Sequence, residues 1–302
     1  MNHILFSLFS LITWAQSLFH TNCYRKIAYH LSSFKEPSFS GKYLDVQWNI
    51  HRQHFEGKWN GSVNWYNEKN NYSLPYLKTH NNYEIEFFDD NTGVYKKNNG
   101  KTMIISRNNY NNMGTAFMFP SDYNYGGAGG QCSRIINYYL SNNDYFTNEI
   151  NFLYEKMRSI IIFNYKYNNN KIRLQSIGIS NLNYPDEYPV KLFQIDDINL
   201  FLYLINDWKG YYSSFNPFIP LSSKYKRISK IDLSQFLMTS NRICRIYPNN
   251  VIISIPKIID DYKEFFICVG CLQSPFSYKQ VIINYDLDGV LTSWDYIELT
   301  PF

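Results

Sequence analysis

The chain has 302 residues, of which 45% are hydrophobic and 19% aromatic, enough for one large domain or two of about 100–150 residues. Its 14 glycines, five cysteines and abundant aromatic residues exclude a collagen, a coiled coil and a disulfide-dense scaffold. Residues 1–44 carry four basic side chains and one acidic side chain, which leaves 25 basic and 24 acidic side chains for the remainder. Because the remainder is nearly neutral, we do not expect it to bind nucleic acid.

The first 44 residues are predicted to be a two-part targeting leader. Residues 4–15 form an apolar run that is shorter than the roughly 20 residues needed to cross a bilayer. Ala15 and Ser17 place small residues at a signal-peptide cleavage site. The following stretch to residue 43 contains several basic residues and one acid, as transit peptides do. This order predicts a plastid protein that travels through the secretory route and has no transmembrane anchor after leader cleavage. Secretion, an uncleaved anchor and a mitochondrial location are the alternatives.

After the leader, short β-type segments recur with Asn- and Gly-rich turns between them. Several segments alternate apolar and polar residues, as half-buried antiparallel strands do. Their regular spacing favours an antiparallel barrel or sandwich. The segments are residues 62–66, 83–88, 103–106, 116–119, 160–167, 171–179, 251–255, 264–271, 280–285 and 291–299.

Two predicted helices interrupt the strands, and each leads into a Trp-x-Gly motif. The first helix spans residues 45–55, and the second spans residues 198–205 behind two aspartates, residues 196 and 197, that can cap it. The motif residues are Gly57, Trp59 and Gly61 in the first copy and Trp208 and Gly210 in the second. This recurrence indicates an internal duplication.

The duplication predicts two domains, residues 45–185 and residues 190–302. The Asn- and Pro-containing stretch from residue 181 to residue 189 is the expected boundary. A third helix is possible over residues 147–157, where apolar side chains recur at helical spacing.

Gly57-Lys58-Trp59 resembles the Gly-x-Trp motif that opens the first strand of lipocalins and other calycins. Two such copies in one chain resemble, more specifically, a tandem calycin-like family of plants, algae and cyanobacteria that includes the chloroplast biogenesis factor required for ATP synthase. Residues 55–65 and 280–294 carry this resemblance, which covers roughly residues 45–302. It implies a mainly β fold with two calycin-like antiparallel barrels in tandem, each preceded by a short helix.

The same resemblance implies how each barrel is closed. The Trp of the motif plugs one end of the barrel, and a basic residue from a late strand stacks over it. Lys171 or Arg173 is the expected base over Trp59. The second copy departs from this pattern, because Asn206 stands where the first copy has Gly57 and no Arg follows residue 245. Its closure is therefore expected to differ.

The cysteines predict neither a disulfide framework nor a clear metal site. Cys268 and Cys271 form a CxxC pair without a second pair or a nearby His. On a strand, residues three apart face opposite sides of the sheet. We therefore expect two ordinary buried cysteines, with a redox pair or a metal site as the alternatives.

Side chains for catalysis are sparse in this sequence. His51 and His54 are three residues apart on the first predicted helix and could meet a metal, although surface histidines are the simpler interpretation. The glycines at residues 126–130 lack the Lys-Ser/Thr ending of a phosphate loop. Adjacent acids at residues 89–90, 196–197 and 260–261 are typical of turns and caps. We expect no enzyme and no cofactor.

Two classes of function remain after these exclusions. The family resemblance implies a non-catalytic assembly factor that binds unassembled F1 subunits, of the β or γ kind, of a plastid-type or organellar ATP synthase. The alternative is a lipocalin-like carrier of a small hydrophobic ligand such as a pigment, haem or lipid, because a barrel of about eight strands can enclose one ligand.

Overall fold

The structure is a computed structural model and describes residues 48–52, 55–107, 115–119, 128–132, 145–154, 157–168, 171–183, 194–215, 224–236 and 239–301. The leader predicted for residues 1–44 lies outside these residues. Of the boundary predicted at residues 181–189, only residues 181–183 are described, at the end of a strand. Both stay predictions, as does the division into two domains. All strands described below belong to one compact unit, Lys42–Phe302.

Antiparallel strands make up most of the described chain, and they form two sheets. The strands are β1 (Gly57–Asn67), β2 (Pro75–Phe87), β3 (Thr92–Lys97), β4 (Thr102–Ser106), β5 (Thr115–Phe119), β6 (Ala128–Cys132), β7 (Tyr145–Tyr154), β8 (Met157–Asn168), β9 (Lys171–Asn183), β10 (Lys209–Phe215), β11 (Lys224–Ile228), β12 (Arg242–Tyr247), β13 (Val251–Pro256), β14 (Ile258–Ile259), β15 (Phe265–Ser274), β16 (Ser277–Tyr285) and β17 (Leu291–Thr300). The mainly β, barrel-type class expected from the sequence is confirmed.

In each sheet the first strand pairs with the last strand. The first sheet has the order β4-β3-β2-β1-β9-β8-β7-β6-β5, with β14 paired to β9, and the second has the order β11-β10-β17-β16-β15-β13-β12. Such an order is that of an up-and-down barrel opened between two consecutive strands. Among the described residues, the opening falls between β4 and β5 in the first sheet and between β11 and β12 in the second.

Two short helices precede the two first strands. Helix α1 covers residues 48–52, and residue 55 is also helical. Helix α2 spans Ile198–Asn206, and Asp197 caps it by accepting hydrogen bonds from the backbone N–H groups of Asn199 and Leu200. Phe201 and Ile205, four residues apart on one face of α2, are buried against the second sheet. The predicted second helix and its acidic cap are therefore observed.

The third helix expected over residues 147–157 is wrong. Residues 147–154 lie in β7 and residue 157 begins β8, and β7 pairs along its whole length with β8. Phe146 and Ile150 are buried four residues apart, a spacing that suits one face of a helix and, because it is even, also one face of a strand. The pairing of this segment with β8 makes it a strand and not a helix.

The two sheets are joined by hydrogen bonds to backbone carbonyl groups near strand ends and in one loop. The Nζ of Lys279, which is fully buried, donates to the carbonyl oxygen of Leu153 at 2.8 Å. Strand β14 extends the junction by pairing with β9 in the first sheet. Two tyrosine hydroxyls make similar bonds, from Tyr165 to Pro256 O (2.9 Å) and from Tyr247 to Tyr72 O (2.8 Å). The strands from the two halves of the chain therefore share one buried boundary.

Candidate functional site

Trp59 is buried at one end of the first sheet beneath α1. Its indole Nε1 donates to the carbonyl oxygen of Phe55 at 3.0 Å, which ties the first strand to the helix before it. The guanidinium carbon of Arg158 lies 5.7 Å from the centre of the Trp59 ring and 4.1 Å from that of the Phe55 ring. A cation therefore stacks on the aromatic rings at this end.

The stacking base is Arg158, so the expectation of Lys171 or Arg173 is corrected. Strand β1 pairs with the C-terminal part of β9, up to Asn183. Lys171 and Arg173 are exposed at the opposite end of β9, roughly 30–40 Å along the strand at about 3.3 Å per residue. They are therefore too far along the strand to reach Trp59.

The sequence could have identified Arg158 as the stacking base. The helix expected over residues 147–157 prevented this, because it left the hairpin of β7 and β8 unrecognised. Arg158 is the second residue of β8 and pairs with Leu182 of β9, which in turn pairs with Gly61 of β1. If β7 and β8 are instead taken as a hairpin, Arg158 lies on the penultimate strand of the first sheet, close to the Trp-x-Gly motif.

Arg158 is also held by polar groups, although it is only 6% exposed. Its Nη1 donates to the hydroxyl of Tyr83, and its Nε donates to Asn151 Oδ1 at 2.8 Å. The nearest carboxylate oxygen, Glu149 Oε1, lies 3.8 Å from Nη2. Burial raises the pKa of Tyr83, so its hydroxyl keeps its proton.

The two glycines that follow the tryptophans allow the first and last strands to approach closely. A Cβ atom on Gly61 would overlap the carbonyl oxygen of Asn181, and one on Gly210 would overlap the carbonyl oxygen of Glu298. Gly61 pairs with Leu182 of β9, just as Gly210 pairs with a leucine of β17. The two Trp-x-Gly motifs therefore occupy matching positions in their sheets.

The matching end of the second sheet has a different closing residue. Trp208 is buried directly after α2, among apolar side chains that include Phe201. The register position that corresponds to Arg158 holds Tyr278, which pairs with Leu299. Tyr278 is fully buried, and its ring meets that of Phe201 edge to face at 5.8 Å. The second sheet therefore has an aromatic contact at the position where the first sheet has the stacked cation of Arg158.

Cys268 and Cys271 are buried free thiols. Cys268 belongs to the apolar cluster around α2, whereas the Cys271 thiol lies beside the hydroxyl of Ser159 in the first sheet. The two side chains therefore point to opposite sides of the sheet, as expected from their spacing. Burial raises the pKa of Cys271 to about 12. Among the described residues no group of three His, Cys, Asp or Glu side chains could hold a metal ion.

The remaining sequence candidates have structural contacts. The ring of His51 stacks on those of Trp48 and Phe55, with centroids 5.9 and 4.9 Å away. Asp89 Oδ1 accepts from two backbone N–H groups of its own turn, and Asp90 Oδ1 accepts from Arg52 at 2.8 Å. His54 and the glycines at residues 126 and 127 lie outside the described residues.

Helix α2 presents an apolar face to solvent. Leu200, Tyr203 and Leu204 are 57%, 80% and 36% exposed, and their spacing places them on one side of the helix. Exposed carboxylates lie at both ends of the helix, at Asp196 and Asp197 before it and at Asp207 after it. The α2 face, defined as Leu200, Tyr203 and Leu204, is thus an apolar patch with acidic residues at both ends.

Among solved structures, the chain is similar to a protein of unknown function of the DUF3598 family from Nostoc punctiforme. The TM-score is 0.65, the sequence identity is 14%, and the match covers 85% of this chain and 99% of that chain. At this identity the likeness shows the fold alone, and that fold occurs in a cyanobacterial family.

Two further solved structures resemble the chain too weakly to inform its fold. A putative outer membrane protein from Bacteroides fragilis has a TM-score of 0.16 at 7% identity, covering 82% of this chain and 97% of that chain. A CurJ dehydratase has a TM-score of 0.13 at 15% identity, covering 52% and 68%. Both TM-scores are too low to show a shared fold. No family model and no curated protein matches the sequence. Within the described residues, no helix has the length and apolar character needed to cross a membrane.

Proposed function

We propose that this chain is a non-catalytic assembly factor that binds an unassembled partner protein through the α2 face. The observation that carries the proposal is the exposure of Leu200, Tyr203 and Leu204 on a helix whose opposite side is firmly packed. Exposed apolar patches bordered by polar residues are typical of protein-interaction sites. A helix anchored by Phe201 and Ile205 also presents such a patch in a fixed shape.

The way the barrel ends are filled supports a protein partner over a bulky hydrophobic ligand. Large aromatic side chains are buried inside both sheets: Trp48, Phe55, Trp59, Trp65 and Tyr83 in the first, and Phe201, Trp208, Phe236 and Tyr278 in the second. A carrier of a pigment, haem or lipid needs a cavity of several hundred Å³ lined by apolar groups. Large buried side chains in both sheets reduce the space available for such a ligand.

The proposed client is an F1 subunit, of the β or γ kind, of a plastid-type or organellar ATP synthase. The family resemblance of residues 55–65 and 280–294 supplies this identity. Carboxylates at both ends of α2 favour a client segment that combines apolar side chains with Lys or Arg. The chain would act before assembly, while that segment is still accessible on the isolated subunit.

Binding of purified F1 subunits to α2-face variants tests the proposal. Tyr203→Ser and Leu200→Ser are expected to weaken binding of the β or γ subunit at least tenfold, because interface aromatic and aliphatic anchors carry much of the binding energy. Ile104→Ser is the matched control, since Ile104 is an apolar side chain on β4 that is 72% exposed.

Depletion of the protein in its own cells tests the role of the interaction. F1 subunits should then be synthesised but remain unassembled. Normal accumulation of the holoenzyme, together with loss of a co-purifying pigment, haem or lipid, would refute the assembly role and favour the carrier.

A further inference from the structure

Charged side chains of both signs lie together at the Arg158 end of the first sheet. Among the described residues there, Arg158 and Lys97 are cationic and Glu149 is a carboxylate. Lys97 pairs with Tyr83 across β2 and β3, so its side chain leaves the sheet on the same side as Tyr83 and Trp59. Its Nζ lies 5.7 Å from the ring centre of Tyr95.

The carboxylate of Glu149 forms an ion pair with Arg158 but is too far from the guanidinium for a hydrogen bond. Glu149 Oε1 accepts from Asn151 Nδ2 at 2.9 Å and lies 3.8 Å from Arg158 Nη2. Arg158 donates through Nε and Nη1, and within the described part of the chain Nη2 has no hydrogen-bond acceptor. Nη2 is not among the fully buried polar atoms that lack a partner, so it remains accessible and can donate to a further acceptor.

Lys97 lacks an ion-pair partner among the described residues, and it is only half-exposed. Burial and the neighbouring charge of Lys101 lower its pKa, in that order, and the carboxylate of Glu149 only partly offsets them. An additional negative charge near Lys97 and Arg158 would therefore be favourable.

We propose that this end of the first sheet binds the oxyanion group, carboxylate or phosphate, of a small molecule between Arg158 Nη2 and Lys97. The ligand enters from the side of Glu149, because the side chain of Glu149 is 20% exposed whereas that of Arg158 is 7% exposed. The rings of Tyr83 and Tyr95, whose centres are 4.9 Å apart, form an aromatic wall beside the site. This inference is independent of the proposed client, because the site and the α2 face belong to different sheets.

Calorimetric titration of the full-length protein at low ionic strength tests the proposal, with sodium benzoate and inorganic phosphate as the two probes. Saturable one-to-one binding of benzoate alone would identify a carboxylate ligand, and binding of phosphate alone would identify a phosphate ligand. Binding of both would identify the oxyanion itself as the recognised group. Absence of saturable binding by either probe would overturn the proposal.

Two charge variants should move the affinity in opposite directions. Lys97→Gln removes an attractive charge and should weaken binding about tenfold, whereas Glu149→Gln removes a repulsive one and should strengthen it about tenfold. Lys171→Gln, at the exposed far end of β9, should leave the dissociation constant unchanged. Neither site variant removes Arg158, so the closed end of the barrel is retained. A Glu149→Gln variant that binds no more tightly would overturn the proposal, because a role for Arg158 confined to stacking predicts no such gain.

Discussion

Arg158 and Tyr278 occupy the same position in the two sheets. Arg158 pairs with Leu182, the partner of Gly61, and Tyr278 pairs with Leu299, the partner of Gly210. One end is thus closed by a guanidinium stacked on aromatic rings, and the other by a tyrosine whose hydroxyl donates to Gln280 Oε1 at 2.7 Å. Each closing residue brings its own buried polar partners, so the two ends are not interchangeable.

Replacement of Arg158 should destabilise the protein strongly. Arg158→Met removes the stacking cation and leaves the Tyr83 hydroxyl and Asn151 Oδ1 without their donors. We expect the free energy of unfolding to fall by about 2–4 kcal/mol. Urea denaturation of Arg158→Met and of the matched control Arg173→Met, which alters an exposed arginine, measures this. Equal midpoints for the two variants would contradict a closing role for Arg158.

A methyl group at either Trp-x-Gly glycine should separate the first and last strands. Gly61→Ala and Gly210→Ala each place a Cβ on a backbone carbonyl oxygen that cannot move without breaking the ladder. We expect each to cost about 2–3 kcal/mol. Ser62→Ala, on the same strand as Gly61, serves as the control. Hydrogen exchange should become faster at β9 in Gly61→Ala and at β17 in Gly210→Ala, and unchanged exchange there would count against the close approach.

Lys279 should make stability depend on pH. Burial is the main cause that lowers its pKa to about 8, whereas the unfolded chain keeps the ordinary value of 10.5. Between these values the unfolded state binds more protons, so the contribution of Lys279 to stability rises with pH, by about 1 kcal/mol between pH 8 and pH 9. Well below pH 8 the penalty for a buried charge is fully present.

Urea midpoints of the wild type and of Lys279→Met at pH 7, 8 and 9 measure this effect. The difference between them should shift in favour of the wild type as pH increases. The variant has the same buried thiols as the wild type, so the comparison removes their opposing effect: burial raises the pKa of Cys271 to about 12, which costs both proteins stability as unfolded thiols ionise. A constant difference from pH 7 to pH 9 would show that Lys279 does not titrate in this range.

The four cysteines of the described chain should be unreactive in the native state. Burial raises the pKa of Cys132 to about 12 and that of Cys244 to about 11, so their thiols stay protonated at pH 8. In a Cys23→Ser background, a chromogenic disulfide reagent should release almost no thiolate until urea is added, and then four equivalents. Fast reaction of two thiols in the native protein would instead indicate a redox-active pair.

The leader should direct a reporter to a plastid. Residues 1–44 fused to a fluorescent protein are expected in a plastid-like organelle, and residues 1–17 alone in the secretory pathway, because the apolar run precedes a basic, acid-poor stretch. Fluorescence microscopy with an organelle marker distinguishes these outcomes. A cytosolic signal from the longer fusion would contradict the two-part leader, and a mitochondrial signal would favour that alternative location.

Local sequence signals predicted the strands and the second helix well. Asp197 precedes an apolar run and caps α2, as the chemistry of a helix N-terminus requires. The ten expected β segments fall on strands apart from end residues, because their alternation matches the two faces of a sheet. The same local information failed over residues 147–157, where the apolar spacing suited a helix but the segment pairs with β8 as a strand.

The sequence by itself determined the antiparallel barrel-type class, the opposed directions of Cys268 and Cys271, and the repeated Trp-x-Gly motif. All of these follow from the period of a strand or from short motifs within one segment. Only the tertiary structure decided which base lies over Trp59, since that depends on the register of β8 against β9 and of β9 against β1. It likewise brought Lys97, Glu149 and Arg158 together, from strands up to 61 residues apart in the sequence. Contacts across several strands arise from pairing register and sheet curvature, and neither is written in the residues of any single strand.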